Sequence, residues 1–71
     1  MRDVEITQEP TELYKILKFE GLVGTGGEAK LVIEQEQVKV NGHVETRKRN
    51  KIVAGDVIEF AGETLKIVIK K

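Results

Sequence analysis

The chain has 71 residues, 39% of them hydrophobic, no cysteine, and twelve Lys and Arg against twelve Asp and Glu. A domain this small buries only about 60% of its unfolded surface, which leaves a thin core and no enclosed substrate cavity, and without cysteine there is no disulfide staple or thiolate metal site. No apolar run is long enough to span a bilayer and no signal-peptide pattern follows Met1, so residues 1–71 are expected to form one soluble, cytoplasmic domain.

Val4 and Ile6 alternate with polar residues and predict a short strand across Arg2–Thr7. Pro10 suits the first turn of a helix, where a missing amide hydrogen costs little. Leu13, Ile16 and Leu17 recur at helical spacing and make an apolar face, while Lys15 and Lys18 share a different, wet face. Gly21 is placed to end this helix, because glycine enters the left-handed region without a Cβ clash. Thr25-x-x-Glu28 is a capping-box pattern: the hydroxyl accepts from the Glu28 amide and the carboxylate reaches back to Thr25. Ala29, Val32 and Ile33 then form the inward stripe of a second helix.

Val38-Lys39-Val40 alternates, Asn41-Gly42 suits a type I′ turn, and Val44 with Thr46 begins a return strand. Ile52 and Val53 lead to a turn at Ala54-Gly55-Asp56. Val57 to Phe60 reads as a strand, Ala61-Gly62-Glu63 as a turn, and Leu65, Ile67 and Ile69 as a last strand. The expected fold class is α+β, with two helices packed on a small, mostly antiparallel sheet containing an Asn-Gly hairpin.

The balanced charge hides a polarity. Residues 1–37 carry four bases and eight acids, whereas residues 38–71 carry eight bases and four acids. Such asymmetry points to an anionic partner, provided folding does not interleave the halves. Arg47-Lys48-Arg49-Asn50-Lys51 concentrates four cations in five residues. The run reads as a solvated loop, an RNA contact or a transport signal. Its two arginines favour RNA, because planar guanidinium forks grip phosphate oxygens and stack on bases. Lys15, Lys18 and Lys30 extend that surface if the helices turn them to the same side.

Gly24 to Ala29 formally matches the dinucleotide fingerprint, but a helix rather than a strand precedes it and no βαβ unit fits. No phosphate-loop signature is present either, so no nucleotide cofactor is expected. A weaker reading is that Gly26 and Gly27 let a phosphate approach the amides at the start of the second helix, with Lys30 one turn along. The competing reading is a plain turn between helices, and the Glu28 charge competes for the same amides. His43 is the sole histidine and the chain has no serine, so neither a metal site nor a catalytic residue is expected. Glu34 and Glu36 are two apart on a helix and diverge. Phe19 is expected in the core, while Tyr14, beside the lysine face, is open to stacking on a base.

From Leu13 onward the chain resembles the S-four RNA-binding domain. The resemblance rests on Leu13, Leu17, Gly21 and Leu22, then Thr25, Ala29, Lys30 and Ile33. It continues through Val38-x-Val40-Asn41-Gly42 and Val53-x-Gly55-Asp56-x-Ile58. It covers about residues 11–60 and is nearest to short stand-alone bacterial members, which look alike in Gly-Gly-x-Ala-Lys and in Glu45-Thr46-Arg47-Lys48-Arg49. The resemblance implies a helix pair on a small sheet that holds structured RNA in a basic groove without catalysing a reaction. Two positions depart from the family pattern. Gly26 stands where arginine is usual, and Glu36 stands where glycine is usual. A left-handed cap disfavours a side chain, so the second helix is expected to end differently here.

The reading is therefore a non-enzymatic module for structured RNA, ribosomal or transfer RNA, with the ribosome or its proteins as a further partner. Lys15, Lys18, Lys30, Arg47, Lys48, Arg49 and Lys51 would contact phosphates, and Gly26 and Gly27 would donate amides. No cofactor, metal, membrane or small-molecule substrate is expected. The alternative is a protein-interaction module or ribosome-associated adaptor. One contiguous positive face favours RNA, and cations scattered among Glu12, Glu20, Glu34 and Glu45 favour protein contact or mere solubility.

Overall fold

The computed structural model describes residues 2–70; Met1 and Lys71, the two ends of the expected domain, lie outside the described residues. Elements follow in the order β1 (Arg2–Ile6), β2 (Thr11–Glu12), α1 (Leu13–Phe19), α2 (Gly26–Glu34), β3 (Val38–Val40), β4 (His43–Val44), β5 (Lys51–Ile52), β6 (Val57–Phe60) and β7 (Glu63–Ile69). Five strands form a sheet in the order β1-β7-β6-β3-β4, and within it the β1–β7 pair is parallel and the others antiparallel. Strands β2 and β5 make a separate antiparallel pair. The fold is α+β, two helices with a mostly antiparallel sheet.

The apolar periodicities account for the core. Leu13, Ile16 and Leu17 of α1 and Ala29 and Ile33 of α2 join Val4, Ile6, Val38, Ile58, Leu65 and Ile67 of the sheet in one buried cluster. Ile52 of β5 is also fully buried there. Each fully buried Leu or Ile stabilises by about 1.5–3 kcal/mol relative to exposure.

Local chemistry sets the helix ends. Gly21 (φ 72) follows α1, its amide donates to the Lys18 carbonyl and the Leu22 amide donates to the Leu17 carbonyl. These two bonds are a Schellman motif, which satisfies carbonyls the helix leaves over. Thr25 caps α2 by accepting from the Glu28 amide at 3.1 Å. The Glu28 carboxylate reaches one residue beyond the expected Thr25, to the Gly24 amide at 3.3 Å.

Several expectations are corrected. Pro10 does not open the first helix, which begins at Leu13. Thr11 and Glu12 stay extended because they pair with Ile52 and Lys51, far along the chain. Phe19 does not fill the core; it is 71% exposed. Two residues past Leu17 is about 200° around a helix, which turns the ring away from the buried stripe. Helix α2 does not end differently. Glu36 takes the left-handed position (φ 63), with Glu36 and Gln37 amides donating to the Ile33 and Val32 carbonyls.

Strand β4 ends at Val44, short of Thr46; the Glu45 amide still donates to the Val38 carbonyl, and the chain beyond it turns to the start of α1. Asn41 (φ 53) and Gly42 (φ 83) connect β3 to β4, where Val40 pairs with His43. Ala61 (φ 53) and Gly62 (φ 80) connect β6 to β7 in the same way, and Glu63 belongs to the strand and not the turn. Positive φ at both central residues matches the twist of the flanking strands.

Candidate nucleic-acid interface

Helix α1 has no side-chain cap at its start. The basic loop supplies one from its main chain: the Leu13 amide donates to the Asn50 carbonyl at 2.9 Å and the Tyr14 amide to the Lys48 carbonyl at 3.2 Å. These bonds satisfy two of the amides that a helix start leaves unpaired. The Asn50 amide closes the loop on the Arg47 carbonyl, and pairing of Lys51 with Glu12 holds its far end. The loop is thereby anchored by its backbone, and its side chains are left to face outward.

Arg47, Arg49, Asn50 and Lys51 line one shallow depression of about 370 Å³. Lys15, Lys18 and Gly26 line a second groove, about 480 Å³, together with Tyr14, Phe19 and residues of β1 and β2. Glu12 links the two: one carboxylate oxygen lies 3.2 Å from the Lys15 ammonium and the other 3.8 Å from Arg49 Nε. Lys48 pairs with Glu34 of α2 at 3.4 Å. Lys30 sits over the Tyr14 ring, 4.8 Å from its centre, so that face of the ring is taken by a cation. Gly26 abuts the same ring; a Cβ there would stand 3.9 Å from it. Gly26 and Gly27 open α2, and among the described residues their amides have no acceptor.

The cations are thus gathered about α1, the start of α2 and the loop, but carboxylates are interleaved with them. Lys15, Arg47, Lys48 and Arg49 each have an acidic partner. Lys18 and Lys51 are exposed and have none among the described residues.

Three residues have contacts here that composition and spacing do not assign. Glu12 bridges two cations, and Asn50 caps α1 through its carbonyl, which no side-chain pattern reveals. Glu45 was the legible one: in an extended segment, residues two apart share a face, so Glu45-x-Arg47 signals a contact. Glu45 is 9% exposed. Its carboxylate accepts from the Arg47 amide and Nε at 3.0 Å each, and from Nη2 at 3.1 Å. The Arg47 hydrogen bonds hold the Glu45 pKa below its ordinary value against the opposing effect of burial, and the same contact raises the Arg47 pKa. Among the described residues no three His, Cys, Asp or Glu converge to hold a metal, and no helix is long and apolar enough to cross a membrane.

Two short helices on a mostly antiparallel sheet, with an arginine-rich loop docked on the first helix, define a small α+β module of the S4 kind. Residues 4–68 match the S4 domain, and the chain belongs to that family. YbcJ of Escherichia coli (strain K12), provisionally named an RNA-binding protein, is 53% identical over 57 residues, covering 80% of this chain and 81% of YbcJ. RlbA of Bacillus subtilis (strain 168), a probable ribosome maturation protein, is 32% identical over 59 residues, covering 83% of each chain. The solution structure of Escherichia coli YbcJ, said to reveal an ALFAL motif involved in RNA-binding, superposes with a TM-score of 0.72. That match has 46% identity and covers 96% of this chain and 87% of the other.

Proposed function

We propose that this protein is a cytoplasmic, non-catalytic module that binds structured RNA, ribosomal or transfer RNA, through α1, the start of α2 and the loop at 47–51. Lys15, Lys18, Lys30, Arg47, Lys48, Arg49 and Lys51 contact phosphates, and the Gly26 and Gly27 amides donate to them. The observation that carries this reading is the docking of the loop: Lys48 and Asn50 carbonyls accept from the first amides of α1, which fixes the loop's main chain at the start of the helix that bears Lys15 and Lys18. Similarity to YbcJ supports RNA as the ligand, and similarity to RlbA supports a ribosomal setting.

The interleaved carboxylates do not defeat this reading. An exposed ion pair is worth only about 0–1 kcal/mol, so a phosphate competes effectively for the same cation. Phosphate contacts orient a protein without specifying sequence, so recognition rests on A-form shape and 2′-hydroxyls. Neutralising about four to six phosphates gives a log–log slope of affinity on salt of roughly −3 to −5. Binding of purified ribosomal and transfer RNA across a salt series tests this, and a flat response rejects it.

The carboxylates at Glu12, Glu34 and Glu45 favour one other reading, a protein-interaction module whose mixed-charge surface meets a ribosomal protein. That reading requires capture of RNA-free ribosomal protein and no binding of protein-free RNA.

A further inference from the structure

Glu45 is the one buried polar or charged side chain among the described residues. Burying a carboxylate is costly unless it is hydrogen-bonded, and this one lies beside a loop whose other charges are cationic. It engages Arg47 side-on, through Nε and Nη2, and also takes the Arg47 amide. A guanidinium carries five N–H donors. The side-on pair uses two and leaves three, two on Nη1 and one on Nη2, along the far edge. Arg47 is 76% exposed, so this edge meets solvent. An Nη1–Nη2 edge matches two oxygens of one phosphate.

From this geometry, and resting on the RNA-binding reading above, we infer that Glu45 is a positioning residue: it holds one edge of Arg47 so that the other edge is preset as a two-toothed clamp for an RNA phosphate. An arginine free in solvent loses rotamer freedom when it binds, whereas one already fixed does not. The bond to the Arg47 amide ties the same carboxylate to the loop backbone, so side chain and main chain are set together.

The inference makes a sign prediction opposite to that of simple electrostatics. Removing a negative charge beside a phosphate site strengthens binding if charge alone matters. If Glu45 positions Arg47, removal weakens binding. Glu45→Gln preserves shape but offers one acceptor oxygen and sets an amide NH₂ against the guanidinium.

The test is filter binding of bulk ribosomal RNA to the whole protein across a salt series. Glu45→Gln is expected to lose roughly tenfold in affinity at fixed salt, the size of one weakened phosphate contact. Arg47→Lys, which keeps the charge but not the planar fork, is expected to lose the same. Adding Glu45→Gln to Arg47→Lys is expected to cost nothing further.

Unchanged or tighter binding by Glu45→Gln overturns the positioning role. So does full affinity in Arg47→Lys, which keeps the charge and the backbone amide bond to Glu45 and serves as the second variant if Glu45→Gln fails to fold. Failure of the wild-type protein to bind, or indifference to Arg47→Ala with Arg49→Ala, instead overturns the RNA reading itself.

Discussion

Glu36 holds φ at 63° at the end of α2, in a region where a Cβ crowds the backbone at a cost of about 1–2 kcal/mol. Glycine carries no such penalty but has more freedom to lose on folding. A carboxylate at a helix C-terminus also meets the negative end of the dipole. The balance favours glycine: Glu36→Gly is expected to stabilise by about 1 kcal/mol, seen in a thermal melt as a rise of roughly 4–8 °C. Glu45 makes the opposite kind of contribution, from a bond worth keeping. Its pKa lies below the ordinary 4.5 because Arg47 favours the carboxylate. A depressed carboxylate pKa stabilises the fold above the unfolded value, and that stability is lost as pH falls through the folded value. The difference in melting temperature between wild type and Glu45→Gln is therefore expected to be full at neutral pH. It should shrink only below the ordinary carboxylate range, and a gap that widens on acidification would contradict the assignment.

At the scale of elements, α1 and the basic loop depend on each other through main-chain atoms. Because the Lys48 and Asn50 carbonyls cap α1, truncating arginine side chains leaves the cap in place. Arg47→Ala with Arg49→Ala is thus expected to leave the fold intact, at a cost of about 1–3 kcal/mol because Glu45 loses two of its three hydrogen bonds, while weakening RNA binding at fixed salt. Loss of the fold in this variant would show that the side chains, rather than the carbonyls, hold the loop.

The same division between local and distant interactions explains what the sequence revealed. The Leu13–Ile16–Leu17 stripe, the Thr25 cap and the Gly21 stop are encoded within one or two turns, and each could be read from neighbours. The β2–β5 pair could not, since two residues at each end carry no periodicity and the pairing joins distant segments. That pairing displaced the helix start from Pro10 to Leu13. At Phe19 angular position on the helix outweighs residue type, and the ring is exposed. A single cationic face and cations set among Glu12, Glu20, Glu34 and Glu45 were both open in the sequence, and the actual pairings were not legible, because Glu12 and Glu34 approach the loop through the tertiary fold.

Across the whole molecule, the acidic first half and the basic second half do not form opposite poles. Strand β1 lies beside β7, and the pairs Arg49–Glu12, Lys48–Glu34 and Arg2–Glu63 each join one half to the other. Part of the sequence polarity is neutralised within the fold by the Arg49–Glu12 and Lys48–Glu34 pairs, and the contacts between the halves are exposed. Each is worth about 0–1 kcal/mol and is screened by salt, while the core cluster is uncharged and indifferent to moderate salt. Stability and RNA affinity should therefore part company. Between about 50 and 200 mM salt the melting temperature is expected to move by only a few degrees. Over the same interval a slope of −3 to −5 lowers affinity roughly 60- to 1,000-fold. Parallel melts and binding isotherms in one buffer series check this. If both fell together, the loss of binding would reflect unfolding, and counterion release from phosphate would not be its cause.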